Sequence, residues 1–238
     1  MMNNKIKKEL NSLANKKQAE ISQRFFKTGK GEYGEGDIFL GIKVPIQRKV
    51  AGRFEDLPLK DIEQLLHSSI HEYRLTAIII LVNQFKKADK KLREKIYKLY
   101  LRNTRWVNNW DLVDSSAHYI VGEYLLDKPR DVLYKLAKSK MLWERRIAII
   151  STFVFIRDNN FEDTIKLTKI LLNDKHDLMH KACGWMLREV GKKSEKGEKE
   201  LIKFLDKYTL EIPRACLRYA IERLGEKRRK YYLMFGKK

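Results

Sequence analysis

Cysteine is scarce: the 238-residue chain has two, Cys183 and Cys216. Two thiols complete neither a structural zinc site nor a disulfide framework. Each sits in an apolar stretch with helical spacing and reads as a small buried hydrophobe. Glycine (12) and proline (4) are also few. That shortage excludes turn-dense sandwiches and barrels and leaves room for long helices. No apolar run approaches the roughly 20 residues of a membrane-spanning helix; TAIIILV, from Thr76 to Val82, is far too short. The opening stretch MMNNKIKKELNSLANKK lacks an apolar signal core, so a cytoplasmic location is expected. Acidic residues are outnumbered, with 31 Asp and Glu against 51 Lys and Arg, a net charge of +20. Such an excess repels itself in a compact state and calls for a polyanionic partner. Nucleic acid fits better than an anionic membrane, because no basic amphipathic segment with a bulky apolar face dominates either terminus.

What the sequence does have is helical periodicity. After Pro58 nearly every segment places apolar residues three and four apart, broken by short polar turns. First helices (LKDIEQLLHSS, LREKIYKLYLRN, RDVLYKLAKS, EDTIKLTKILLN, EKELIKFLDKYT) alternate with second, more apolar ones (HEYRLTAIIILVNQF, NWDLVDSSAHYIVGEYLL, LWERRIAIISTFVFI, LMHKACGWMLREVG, IPRACLRYAIERLG). The second helices each carry an alanine near the start, Ala77, Ala117, Ala148, Ala182 and Ala215, at steps of 40, 31, 34 and 33 residues. A helix–turn–helix unit recurring at this period predicts an all-α, HEAT-like solenoid whose stacked repeats form a concave, basic face suited to a rod-shaped ligand. The expected organisation is one domain over 1–238: divergent helices and a loop over 1–57, paired-helix repeats over 58–225, and a basic tail over 226–238. The stretch from Asn4 to Phe26 reads as one basic helix, and Pro45 opens another. The basic cluster Lys227 to Lys230 either grips phosphate or is solvated.

Several motifs dissolve on inspection. Gly29, Gly31 and Gly34 spell G-x-G-x-x-G, but no strand precedes the loop and no βαβ pattern surrounds it, so it reads as a turn. His176 and His180 stand four apart, yet the glutamate of H-E-x-x-H and a third ligand are missing, so no metal is expected. There is no G-x-S-x-G elbow and no P-loop. The suggestive stretch is RWVNNWDLVDSSAHYI. If Asn109 or Trp110 begins a helix, Trp110 and Asp114 share a face. Asp111 and Asp114 read equally well as acidic residues in a first helical turn, and Trp110 as core. A carboxylate facing DNA on so basic a protein weakens binding by repelling phosphate, and a chemical role would account for it. Arg145 and Arg146 in LWERRIAII, and Lys181, Trp185 and Arg188 in KACGWMLRE, interleave aromatic and basic groups as nucleic acid requires.

At these residues the sequence resembles the DNA alkylation repair enzyme family, the HEAT-like alkylpurine DNA glycosylases. The stretches GEYGEGDIFLGIKVP, NNWDLVDSSA, WERRIAII and HKACGWMLREVGK carry the likeness in order from Gly31 to Lys192. The resemblance implies a monofunctional glycosylase of base excision repair that acts on cationic purines alkylated at ring nitrogen 3 or 7, without flipping the base. It implies Asp114 as the catalytic carboxylate, Trp110 and Trp185 as contacts to the lesion's sugar and backbone, and Arg146, or its neighbour Arg145, as the DNA grip. Lys181 and Arg188 are further candidate DNA contacts, and Tyr33 is the candidate N-terminal aromatic. It implies no metal or organic cofactor, alkylated duplex DNA as partner, no obligate protein partner, and a monomer in the cytoplasm, associated with the nucleoid. Relatives with this fold include DNA binders without activity, so a non-catalytic scaffold for damaged or branched DNA is the alternative, and a protein-interaction solenoid a second.

Overall fold

The computed structural model describes residues 2–235. Among them every regular element is helical, apart from one isolated parallel bridge between Ile38 and Ile70. The chain divides into two compact units, 1–120 and 121–238. No described helix is long and apolar enough to cross a membrane.

In the first unit the basic N-terminal stretch is two helices rather than the one expected. α1 (Met2–Ser12) ends, and Asn15 then caps α2 (Lys16–Phe25) by accepting from the Gln18 amide at 2.9 Å. An asparagine oxygen there satisfies an amide that a helix start would otherwise leave bare. α3 (Val44–Arg53) opens with Pro45 in its first turn, as the sequence predicts. α4 (Leu59–Leu66) follows Pro58. The centre of the unit is α5 (His71–Lys87), buried on every side from His71 to Val82. A helix apolar all round belongs inside a fold, and α1, α3, α4, α6 (Lys90–Arg102) and α7 (Trp110–Asp114) all pack on it. Its first turn is the exception, because His71, Glu72 and Arg74 are buried there among apolar neighbours.

The stretch NWDLVDSSAHYIVGEYLL, expected as one long helix, breaks up. α7 stops after five residues, and a π-helical turn, His118–Gly122, follows. The hydroxyls of Ser115 and Ser116 donate to the carbonyls of Asp111 and Leu112, each at 2.6 Å. Such back-bonding gives the chain an alternative to continuing the helical ladder.

The second unit holds α8 (Asp131–Ala137), α9 (Leu142–Ser151), α10 (Phe153–Arg157), α11 (Glu162–Leu171), α12 (Asp177–Lys193), α13 (Glu195–Tyr208), α14 (Arg214–Ala220) and α15 (Glu226–Phe235). LWERRIAIISTFVFI, also expected as one helix, is interrupted at Thr152, whose hydroxyl turns back to the Ile149 carbonyl at 2.7 Å. The alternation of first and second helices is visible here: α8 packs on α9, α11 and α13 pack on α12, and the second helices pack on one another, α9 on α12 and α12 on α14. Most of the recurring alanines are buried. Ala148 and Ala182 are fully buried, as are Ala77 and Ala117 in the first unit, whereas Ala215 is half-exposed. Small residues let helix backbones approach, and Gly184 takes this furthest: a Cβ there would lie 2.4 Å from the Cys216 carbonyl oxygen of α14.

Cys183 and Cys216 are both buried and unpaired. Burial raises both thiols, Cys183 to about 12 and Cys216 well above its ordinary value. The basic C-terminal stretch, expected as a tail, forms α15 across its described residues. It is docked by the buried Tyr232, whose hydroxyl donates to Asp206 at 2.7 Å; residues 236–238 lie outside the described residues. His176 caps α12 through its Nδ1, and the Nε2 of His180 bonds the Asp174 carbonyl.

Candidate functional site

Asn109 caps α7, its side chain accepting from the Trp110 amide at 2.8 Å. The helix therefore starts where the sequence placed it. Trp110 and Asp114 are one turn apart, both half-buried, and both line a cleft of about 660 Å³ in the first unit. Its other walls are largely apolar: Phe25, Phe26, Phe39 and Ile42, with Gln47 and Arg48 from α3. Asp114 also lines a smaller recess of about 200 Å³ with Arg48, Lys86, His118 and Tyr119. The Lys86 ammonium lies over the Tyr119 ring, 4.1 Å from its centroid. Burial pushes the Tyr100 hydroxyl far above the usual phenol range. Its hydrogen bond with Ser116 opposes that rise, and the charge of Asp114 adds to it.

The indole of Trp110 is held by two phenylalanines. Phe26 stacks on it with centroids 5.3 Å apart and planes at 15°, and Phe25 meets it edge-on at 5.9 Å. Phe25, at the end of α2, remains 63% exposed. Tyr33, the N-terminal aromatic that the sequence suggests, stands outside the lining of the cleft, half-buried, its hydroxyl 3.5 Å from the Phe25 carbonyl. The pair Phe25–Phe26, closing a basic helix just before the glycine loop, was the available signal for the cleft's aromatics. The loop itself holds no phosphate-ready amides at Gly29 and Gly31, because Glu32 and Glu35 already accept from them.

Beside α7, and partly lining the same cleft, is an ionic cluster that no local spacing announced. Asp111 Oδ2 bonds His71 Nε2 at 2.8 Å, and Asp37 Oδ2 bonds His71 Nδ1 at 3.0 Å. Arg74, 1% exposed, donates to Asp37 at 2.6 Å and to the Ser68 carbonyl at 2.7 Å. Glu72 accepts from the amides of Leu40, Gly41 and Ile42, and Gly41, at φ +80, makes that tight turn accessible to the chain. Buried charges are tolerated when paired and hydrogen-bonded. Burial by itself would raise Asp37, but His71 and Arg74 outweigh it and hold its carboxyl below the ordinary value. Burial works against a charge on His71, yet Asp111 and Asp37 hold it up to about 9. Both aspartates of α7 line the cleft, and Asp111 is bonded there to His71.

In the second unit Lys181, Trp185 and Arg188 follow one another at four and three residues along α12, sharing a face. Trp185 is half-buried, 6.3 Å from the Phe153 ring. Lys181 pairs with Asp177 at 2.6 Å, and Arg188 with Glu222 at 2.5 Å and Glu189 at 3.2 Å. Arg145 is clasped by Asp174 at 2.6 Å and by the carbonyls of Ser139 and Lys140. Arg146 is 5% exposed and donates to the Leu178 carbonyl at 2.6 Å, joining α9 to the start of α12.

The family model described as DNA alkylation repair enzyme matches residues 6–224. The chain belongs to the DNA alkylation repair enzyme family. A solved structure named as a predicted DNA alkylation repair enzyme from Enterococcus faecalis is similar to this family member: it superposes with a TM-score of 0.69, covers 90% of this chain and 97% of its own, and shares 16% of residues. That likeness shows a common fold. No curated protein matches the sequence. The family match spans both units, and the α7 cleft falls inside it.

Proposed function

We propose that this family member is a DNA glycosylase that binds duplex DNA and hydrolyses the N-glycosidic bond of cationic alkylated purines, of the 3-methyladenine and 7-methylguanine type. The observation that carries the reading is the pairing of Asp114 and Trp110 on one short helix lining an aromatic cleft, in a chain of net charge +20. In this reading the chain is a HEAT-like helical-repeat protein that takes the duplex on a basic face, acting as a monomer in the cytoplasm.

Alkylation at ring nitrogen 3 or 7 makes the purine a cation and weakens its glycosidic bond. The base then departs as a neutral molecule and needs no general acid. Asp114, ionised, stabilises positive charge growing on the deoxyribose and orients the attacking water. Trp110 holds the sugar by dispersion and by attraction of its π-face for a developing cation, and Trp185 is assigned as a further contact to the DNA. The reaction asks for no metal, no organic cofactor and no Schiff-base lysine, and base loss proceeds without flipping or strand cleavage. Phe26 supports the role of Trp110 by fixing the plane of its ring.

The test is direct: incubate the protein with methylated duplex DNA and identify released bases by mass. Release of 3-methyladenine or 7-methylguanine is expected; binding without release would leave the non-catalytic scaffold. Arg146 is assigned to the DNA grip beside the lesion, with Arg145, Lys181, Arg188 and Tyr33 in supporting positions on the duplex. Arg146→Ala should flatten the dependence of log affinity on log salt by about one unit for each phosphate it no longer neutralises. An unchanged slope with lowered stability would confine Arg146 to its Leu178 carbonyl.

A further inference from the structure

His71 opens α5 with 2% of its side chain exposed. Both ring nitrogens face carboxylates, Asp37 at 3.0 Å and Asp111 at 2.8 Å. A neutral imidazole has one N–H and could donate to only one of them, whereas an imidazolium satisfies both. Two aromatic rings pack against it as well, and against each other. Phe39 stacks on the ring at 4.5 Å and 21°, and Phe26 lies over it at 5.0 Å and 38°. Aromatic faces attract a cation through their quadrupoles. Phe26 is also the ring that stacks on Trp110. One buried side chain therefore reaches both supports of α7: Asp111 in its first turn, and the aromatic backing of Trp110. A five-residue helix does not hold itself in water and needs such anchoring.

We propose that His71, as an imidazolium, is the positioning residue of this site, anchoring α7 so that Trp110 and Asp114 present to the cleft in the geometry that base release requires. Its catalytic consequence rests on the glycosylase reading; the anchoring does not. The charged groups facing it come from three elements: Asp37 from the loop before α3, Asp111 from α7, and Arg74 and Glu72 from α5 itself. Glu72 is committed to backbone amides. Arg74 opposes the imidazolium charge, and the two aspartates outweigh it.

The experiment compares wild type with His71→Gln in two readouts. Hydrogen exchange of the α7 amides, corrected for intrinsic rate, reports anchoring without reference to catalysis. Single-turnover base release against DNA concentration separates the rate constant from binding. The expected result is faster α7 exchange in the variant, with a rate constant about ten- to a hundredfold lower and half-saturating DNA little changed. In wild type the rate should fall as pH rises through about 9, and the variant should lack that limb. Unchanged α7 exchange in folded His71→Gln overturns the proposal, whatever the activity. Faster exchange together with a wild type that releases no base upholds the anchoring and removes the glycosylase. Should His71→Gln fail to fold, Asp111→Asn, which leaves the imidazolium a neutral acceptor, is read by the same exchange criterion.

Discussion

Asp114→Asn is expected to lower release of 7-methylguanine from alkylated duplex by about a hundredfold or more, the scale on which loss of one preorganised electrostatic group acts. Binding should hold or tighten, since a negative charge facing phosphate is removed. The substitution keeps size and shape, so α7, its Asn109 cap and the Ser115 and Ser116 back-bonds have no cause to move. The charge change is felt locally. Asp114 adds to the elevation of the buried Tyr100 hydroxyl, but that hydroxyl is a neutral phenol near neutral pH with either residue, so this interaction gives stability no cause to change. Activity and stability should therefore separate, by release kinetics on one side and thermal melting on the other. Full excision by the variant would show that another group does the chemistry.

The second large effect is structural. Asp37→Ala should destabilise the protein by about 3–5 kcal/mol, because it leaves Arg74 buried without its counter-charge. Arg74 would retain the Ser68 carbonyl, and His71 would retain Asp111. Urea denaturation of the variant reads the loss directly, and a change below about 1 kcal/mol would mean that water reaches the cluster. The same cluster sets a pH dependence of opposite sign at its two ends. His71 has its folded value raised above 6.5 to about 9, so its contribution is complete below pH 6.5 and is lost as pH rises through 9. Asp37, lowered from 3.8, contributes above that value and loses its contribution as pH falls below it. Wild-type melting temperature should decline on the alkaline side, and Asp37→Ala should flatten that decline.

Local signals in the sequence reached some of this and not the rest. Apolar spacing located α4 to α6, α8, α9 and α11 to α14, because amphipathic packing leaves its period in the chain. It overran at Ser115, Ser116 and Thr152, where hydroxyls divert the backbone and apolar spacing carries on regardless. It also merged α1 with α2 across the Asn15 cap. In the candidate site, a helix starting at Asn109 or Trp110 with Trp110 and Asp114 on one face was legible. The Asp37–His71–Asp111 cluster was not, since its members stand far apart in the chain and only tertiary packing brings them within hydrogen-bond distance. Tyr33 stands out in the sequence because it lies within the glycine loop; the ring stack on Trp110 uses the phenylalanines just before that loop.

The two sulfhydryl groups carry a last consequence. Soft electrophiles of the kind that methylate ring nitrogens attack a thiolate far faster than a thiol. Cys183 and Cys216 are sealed between helices and kept protonated at neutral pH. A repair protein built this way offers no sacrificial sulfur to the reagents whose damage it meets, and it should stay unmodified at both positions at doses that alkylate exposed cysteines elsewhere.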